Sequence, residues 1–274
     1  MTVVMLNGKV IDEREATVSA LDRGITHGIC LYETIKLRDG IPVFFDEHAA
    51  RMEKGLERLG IGPPVRRDEL AKQIMALSAE SGVRNGACRL LATAGPPWGP
   101  SSLLIQAEVR TFPDRPLVVI SYRAGRAAAA FKSNSFVASL LAQRAAAGAG
   151  ADDAVFVDDE GRILEATTAN VFIVRGGVMT TPQTEGSILP GVIRSKVIEV
   201  AERDGIPVAE RTMRLSELTS DNVLLLTSSV RGIRPAASLD GLPLRQDPAL
   251  VERLRRLVGE AERAAAAAFT ATYG

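Results

Sequence analysis

The chain has 274 residues, 46% of them hydrophobic, and its 33 basic residues balance 33 acidic ones. That length and apolar share suit two α/β domains or one large one, and zero net charge leaves no electrostatic case for nucleic acid or a membrane surface. Two cysteines, Cys30 and Cys88, fit a reducing compartment better than a disulfide framework, and neither has zinc-site spacing, so no metal is expected. The N-terminus lacks the basic start and long apolar run of a signal peptide, and no apolar stretch reaches membrane-spanning length. A soluble cytoplasmic protein is expected.

In chain order, residues 3–10 read as a hairpin turning at Asn7-Gly8. A glycine-punctuated loop, residues 21–28, leads into residues 31–37, which alternate as a strand. Tyr32, Thr34 and Lys36 fall on one face of that strand; Glu33, Ile35 and Leu37 fall on the other. Arg38-Asp39-Gly40 closes a second hairpin into residues 41–45. Asp46 is placed as the N-cap of a helix running to about Leu59, with Ala49, Met52, Leu56 and Leu59 as its core stripe and Gly60 as its stop. A second helix covers residues 68–81. Strands follow at 87–92 and 103–109, joined by the rigid loop Gly95-Pro96-Pro97-Trp98-Gly99-Pro100.

Residues 110–116, polar and holding two prolines, form the best linker between a small N-terminal α/β domain (1–109) and a larger C-terminal domain (117–274). The second domain reads as a strand at 117–122, a helix at 136–148 and two strands meeting at 158–161. A strand at 171–174, a helix from about Gly191 to Arg203, a buried strand at 223–226 and a last helix over 248–269 complete it. Strands and helices alternate in both halves, so the class is mixed α/β (α+β).

The chemistry-bearing stretches are Phe131-Lys132-Ser133-Asn134-Ser135, the run Ile163-Leu164-Glu165-Ala166-Thr167-Thr168-Ala169-Asn170, and Asp46-Glu47-His48-Ala49-Ala50-Arg51. To these are added Ser187-Ile188-Leu189-Pro190-Gly191-Val192-Ile193 and Thr227-Ser228-Ser229. Their order and spacing resemble the class IV (fold-type IV) pyridoxal-phosphate aminotransferases over nearly the whole chain. The resemblance implies two domains with the cofactor at their interface, and a homodimer whose partner contributes to the active-site wall. It makes Lys132 the Schiff-base lysine and Glu165 the partner of the pyridine nitrogen. Arg51, the Val192 and Ile193 amides after Gly191, and the Ser228 and Ser229 hydroxyls would hold the phosphate. Leu189 would pack on the ring, and Thr168 and Asn170 would support the phosphate or the loop. The substrates implied are an amino donor and a 2-oxo acid acceptor.

Two departures bear on substrate. The loop Thr93-Ala94-Gly95-Pro96-Pro97-Trp98-Gly99-Pro100 has no arginine or histidine, so the carboxylate trap of D-amino-acid transaminases is missing. The branched-chain signature is incomplete at Ala87-Cys88-Arg89. Arg89 is the expected replacement anchor. The Tyr32-Glu33-Thr34-Ile35-Lys36 strand is most like that of D-amino-acid transaminases, with Tyr32, Thr34 and Lys36 toward substrate. His27 and Trp98 are placed at the pocket mouth. The expected activity is D-amino-acid transamination; the alternatives are aminodeoxychorismate lyase and (R)-amine or branched-chain L-amino-acid transaminase. Whether Arg110, Arg123 or Arg126 enters the pocket is left open.

Overall fold

A computed structural model describes residues 2–125, 131–133, 136–184 and 187–274. The chain divides into two compact units: Met1–Thr111 with Phe131–Asn134 and Ala261–Gly274, and Phe112–Ala130 with Ser135–Glu260. The first crossing falls inside the 110–116 stretch.

The first unit is built on six strands: β1 (Val3–Leu6), β2 (Lys9–Asp12), β3 (Cys30–Arg38), β4 (Ile41–Pro42), β5 (Gly86–Thr93) and β6 (Ser102–Glu108). They form an antiparallel sheet in the order β2-β1-β6-β5-β3-β4. A one-turn helix α1 (Arg23–Thr26) precedes β3, and α2 (Phe45–Arg58) and α3 (Arg67–Ser81) pack against the sheet. The alternation of β3 is obeyed to the residue. Leu31, Ile35 and Leu37 are buried with Leu90, Ala92, Leu103 and Ile105, beneath Ala49, Met52, Leu56, Ile74 and Leu77 of the two helices. Tyr32, Thr34 and Lys36 face the other way and stay partly exposed.

Two helix details differ from expectation. The cap of α2 is not Asp46. Phe44 takes a left-handed conformation (φ 53°, ψ 40°), so the helix starts at Phe45, and Asp46 lies in the first turn, where its charge suits the helix dipole. Leu59 is not part of the core stripe: it ends the helix and is 37% exposed.

The second unit carries β7 (Leu117–Arg123), β8 (Asp153–Val157), β9 (Ile163–Ala166), β10 (Asn170–Arg175) and β11 (Val178–Thr181). It continues with β12 (Val208–Glu210), β13 (Val223–Ser228), β14 (Gly232–Leu239) and β15 (Leu242–Pro243). The sheet order is β12-β11-β10-β13-β14-β7-β8-β9, with β15 on β14, and it mixes parallel with antiparallel pairs. Helix α4 (Val137–Gly148) packs on β7 and β8, and α5 (Val192–Arg203) on β12 and β13. No strand is read from the sequence where β14 lies; it carries Pro235, which pairs in register with Leu225.

Helix α6 (Pro248–Tyr273) begins in the second unit and gives its last turns to the first. There Phe269, 3% exposed, meets Phe45 edge-on at 5.3 Å, and the Tyr273 hydroxyl donates to Asp46 at 2.7 Å. Cys30 and Cys88 are both buried and unbridged, and burial pushes the Cys88 thiol up to about 12. Among the described residues, no helix is long and apolar enough to cross a membrane. Replacing Phe269 with Ala should cost about 3–5 kcal/mol through the lost burial and the cavity left behind; the shift of the urea midpoint measures it.

Candidate active site

The partly exposed face of the first sheet gathers one set of the candidate residues. Residues 131–133 run along the outer edge of β3: the Tyr32 amide donates to the Lys132 carbonyl at 2.8 Å, and Leu31 bridges Ser133. This places the Lys132 side chain on the Tyr32 side of the sheet, its amine nitrogen 4.2 Å from the Tyr32 ring centre. Arg89 lies directly across from Thr34 on β5, and therefore on the same face. It is half-buried, and no hydrogen bond or ion pair engages its guanidinium among the described residues. Lys36 shares the face, but its ammonium is held by both carboxylate oxygens of Glu262, at 2.9 and 2.7 Å.

Behind this face sits a buried charge cluster. Glu33 is the one charged residue on the core side of β3, 1% exposed. A lone carboxylate there would be prohibitive. Two residues one turn apart on α2 solve the problem. Arg51 grips it side-on, Nε to Oε1 at 2.7 Å and Nη2 to Oε2 at 2.7 Å, and His48 donates from Nδ1 to Oε2 at 2.7 Å. Burial alone would raise the Glu33 carboxyl; the Arg51 charge and the His48 bond outweigh it and hold the group well below the ordinary carboxylate range. Burial also keeps His48 below its ordinary value, against the pull of Glu33 and with the Arg51 and Lys132 charges adding to the effect. Arg51 was anticipated as an anion holder. Glu33 and His48 were not singled out, although the strand's alternation had already put Glu33 inward and the helix spacing had put His48 beside Arg51.

His27 and Trp98 lie on two exposed loops of the same unit. His27 ends α1 and bonds Thr26 Oγ1 at 2.7 Å; Trp98 is 74% exposed. The loops are clasped by Arg23, which donates to the Gly95 and Ala94 carbonyls at 3.1 and 2.5 Å, and by Asp22, which accepts from Thr93 Oγ1 at 2.6 Å.

The second unit assembles the other candidates. Glu165, 3% exposed on β9, accepts at Oε2 from the Leu189 amide at 3.0 Å and from Asn170 Nδ2 at 3.4 Å. Asn170 also donates to the Leu189 carbonyl at 2.9 Å, so the carboxylate and the segment before α5 are locked together. Gly191 is the N-cap of α5 and offers no side chain to cap it, so the buried Val192 and Ile193 open a helix whose first amides lack a side-chain acceptor. A Cβ at Gly191 would lie 1.9 Å from Asn170 Oδ1, which is why only glycine fits. Thr227 of β13 is paired with Asn170 of β10, and its buried hydroxyl has no hydrogen-bond partner among the described residues. Ser228 and Ser229 follow it, half-buried, while Thr168 is exposed. Uncapped amides, an orphaned hydroxyl and adjacent serines could together hold an anion, and the nearby carboxylate could face a protonated nitrogen. Thr227 was missed because a strand residue shows no sign in sequence of lacking a partner. Of the arginines left open, Arg110 pairs with Glu108 and Arg123 donates to the Asp158 and Asp159 carbonyls; Arg126 lies outside the described residues.

The family model described as "Amino-transferase class IV" matches residues 30–239. A Methanocaldococcus jannaschii protein provisionally named a branched-chain-amino-acid aminotransferase is 31% identical over 263 residues, covering 87% of this chain and 88% of that protein. The D-alanine aminotransferase of Bacillus licheniformis is 28% identical over 252 residues, with 87% and 88% covered. Among solved structures, a protein of Legionella pneumophila provisionally named a 4-amino-4-deoxychorismate lyase superposes with a TM-score of 0.86 at 27% identity, covering 92% of this chain and 97% of that one.

Removing the Glu33 carboxylate takes away the bidentate partner of half-buried Arg51 and the acceptor of buried His48, so Glu33→Ala should cost about 3–5 kcal/mol in urea unfolding. Glu33 and His48 both bind protons less readily folded than unfolded. Each therefore contributes stability that is present above its ordinary value and lost as pH falls. The loss due to His48 begins below its ordinary 6.5, and that due to Glu33 below 4.5. In thermal midpoints measured against pH, His48→Gln should flatten the upper part of this decline and leave the lower part.

Proposed function

The chain belongs to the class IV aminotransferases, enzymes that depend on pyridoxal 5′-phosphate, and on that footing we propose that it moves an amino group between a D-amino acid and a 2-oxo acid by a ping-pong mechanism. The observation that carries the reading is the face shared by Lys132, Tyr32 and an Arg89 whose guanidinium has no partner among the described residues.

The second unit's anion-binding set fits the cofactor's phosphate. Val192 and Ile193 would donate their amides, and Thr227, Ser228 and Ser229 their hydroxyls, with Thr168 at the rim and Arg51 as the cation. Leu189 would pack on the ring, held by the same Asn170 that braces Glu165. Glu165 would keep the ring nitrogen protonated, its carboxylate oriented by the Leu189 amide. When bound, the cofactor supplies an electron sink for charge developing at the substrate Cα. Lys132 is the group that would hold the cofactor at rest and, as a free amine, would take the proton from the substrate Cα and deliver it to C4′ of the cofactor. Tyr32 and Thr34 would line the substrate's seat.

The D-amino-acid assignment rests on Arg89. With no arginine or histidine in residues 93–100, the substrate carboxylate needs another cation, and Arg89 stands across from Thr34 with its guanidinium uncommitted among the described residues. A second reading, transamination of branched-chain L-amino acids, is favoured by the 31% identity to the Methanocaldococcus protein. We place the enzyme in the cytoplasm, where its two buried thiols stay reduced. It would work as a homodimer, with exposed Leu21, Ile25 and Trp98 on the clasped loops as apolar surface for a second copy near His27; a monomeric mass by light scattering would contradict this.

The test is the visible absorption of the cofactor-loaded protein during separate additions of D-alanine, L-leucine and (R)-phenylethylamine. The expected result is loss of the resting band with D-alanine alone. Loss with L-leucine alone would establish the second reading instead, loss with the amine alone an amine transaminase, and a band that none of them changes would favour the lyase. Lys132→Ala should have no resting band. Arg89→Ala should raise the Michaelis constant for D-alanine by about tenfold to a hundredfold, the loss of a charge-assisted hydrogen bond, and change that for the amine little. Equal effects on both would remove Arg89 from the carboxylate.

A further inference from the structure

We propose that Glu262 sets the charge preference of the substrate site, by neutralising Lys36 and so disfavouring amino and oxo acids with acidic side chains. The inference rests on the reading of the Tyr32, Thr34, Lys36 face as the substrate's seat.

Lys36 is the cation on that face nearest to Thr34 along β3, and an acidic side chain placed there would ordinarily pair with it. Glu262 forestalls this. It comes from α6, 226 residues away in sequence, and brings both oxygens to the Lys36 ammonium, at 2.9 and 2.7 Å. Its side chain is only 6% exposed, whereas that of Lys36 is 33% exposed, so the lysine is the open member of the pair and the glutamate the built-in one. Arg38 approaches the same carboxylate at 3.5 Å, two residues further along the strand. The trio keeps one net positive charge, but the bidentate contact spends the carboxylate on Lys36.

The position of Glu262 is not left to a mobile tail. Two and three turns further on, Phe269 and Tyr273 stack edge-on against Phe45, at 5.3 and 5.2 Å, and Tyr273 bonds Asp46. The helix that carries the glutamate is thus pinned to the start of α2 at one end, and the ion pair is made from a fixed backbone. A partly exposed surface pair would be worth little for stability. Here the consequence is electrostatic: a lysine that the strand presents to the substrate is presented without a free charge.

The experiment measures binding of 2-oxoglutarate and pyruvate to the cofactor-loaded protein by calorimetry, and reads the ratio of the two dissociation constants. Wild type, Glu262→Gln, Lys36→Met and the double variant Lys36→Met/Glu262→Gln are compared. Glu262→Gln should shift the ratio toward 2-oxoglutarate by about tenfold, the scale of one newly available charge partner. The double variant, which removes one positive and one negative charge and so keeps the trio's single net positive charge, now on Arg38, should return the ratio to the wild-type value. It also tests whether any change in the single variant comes from loosened packing. A ratio unchanged in Glu262→Gln, or a shift that persists in the double variant, would overturn the proposal while leaving the transaminase reading intact. If neither oxo acid binds any of the four proteins, the reading of this face as the substrate's seat fails, and the proposal falls with it.

Discussion

A carboxylate buried in an apolar layer has to be paired, and in this protein that requirement organises the ground around the candidate lysine. Strand β3 sends alternate residues to opposite sides of one sheet. On the core side, Leu31, Ile35 and Leu37 pack under two helices, and Glu33 interrupts them. The interruption is tolerable only because α2 places His48 and Arg51 a turn apart, each 2.7 Å from Glu33 oxygens. Helix and strand are therefore fixed to each other by direction as well as by apolar contact. Two side-on bonds leave Arg51 little rotational freedom, whereas a solvated arginine would have to be ordered each time it met an anion. The opposite side of the same strand carries Tyr32 and Thr34, with Lys132 laid along its edge. One strand thus joins the most firmly held charges of its unit to the residues given chemistry in our account.

The second unit reaches a comparable rigidity by other means. Its candidate anion-binding set combines two backbone amides with three hydroxyls, the amides positioned by a glycine that nothing larger could replace and by an asparagine that bonds the segment before α5 and the Glu165 carboxylate together. Such a set carries dipoles rather than mobile charges, and its amides need no reorganisation when a phosphate arrives. The uncapped start of α5 and the orphaned Thr227 hydroxyl are costs to the folded protein, which are explicable if a ligand completes them.

Much of this was legible in the sequence because it depends on local rules. The alternation of β3, the helical stripe of α2 at Ala49, Met52 and Leu56, and the glycine opening α5 follow from periods of two and 3.6 residues and from backbone freedom. What could not be read depends on distance or on absence. Glu262 and Lys36 are 226 residues apart, and no local pattern announces their bond. Thr227 is marked only by a buried hydroxyl that lacks a partner among the described residues. Strand β14, not read from the sequence, is held by strands on both sides. The left-handed Phe44, which shifted the start of α2 off the expected Asp46 cap, belongs to a turn whose geometry is set by the hairpin before it. Family resemblance supplied the roles of Lys132 and Glu165; physical reasoning from sequence alone had no means to separate them from ordinary surface charges.

The central claim is that Lys132 is the residue that bonds the cofactor. Borohydride reduction of the loaded protein fixes the cofactor to whichever lysine holds it, and peptide mass mapping then finds the position. The account predicts the phosphopyridoxyl group on the peptide containing Lys132 and on no other. Its appearance on a different lysine, or unmodified Lys132 peptide from fully loaded protein, would contradict the account.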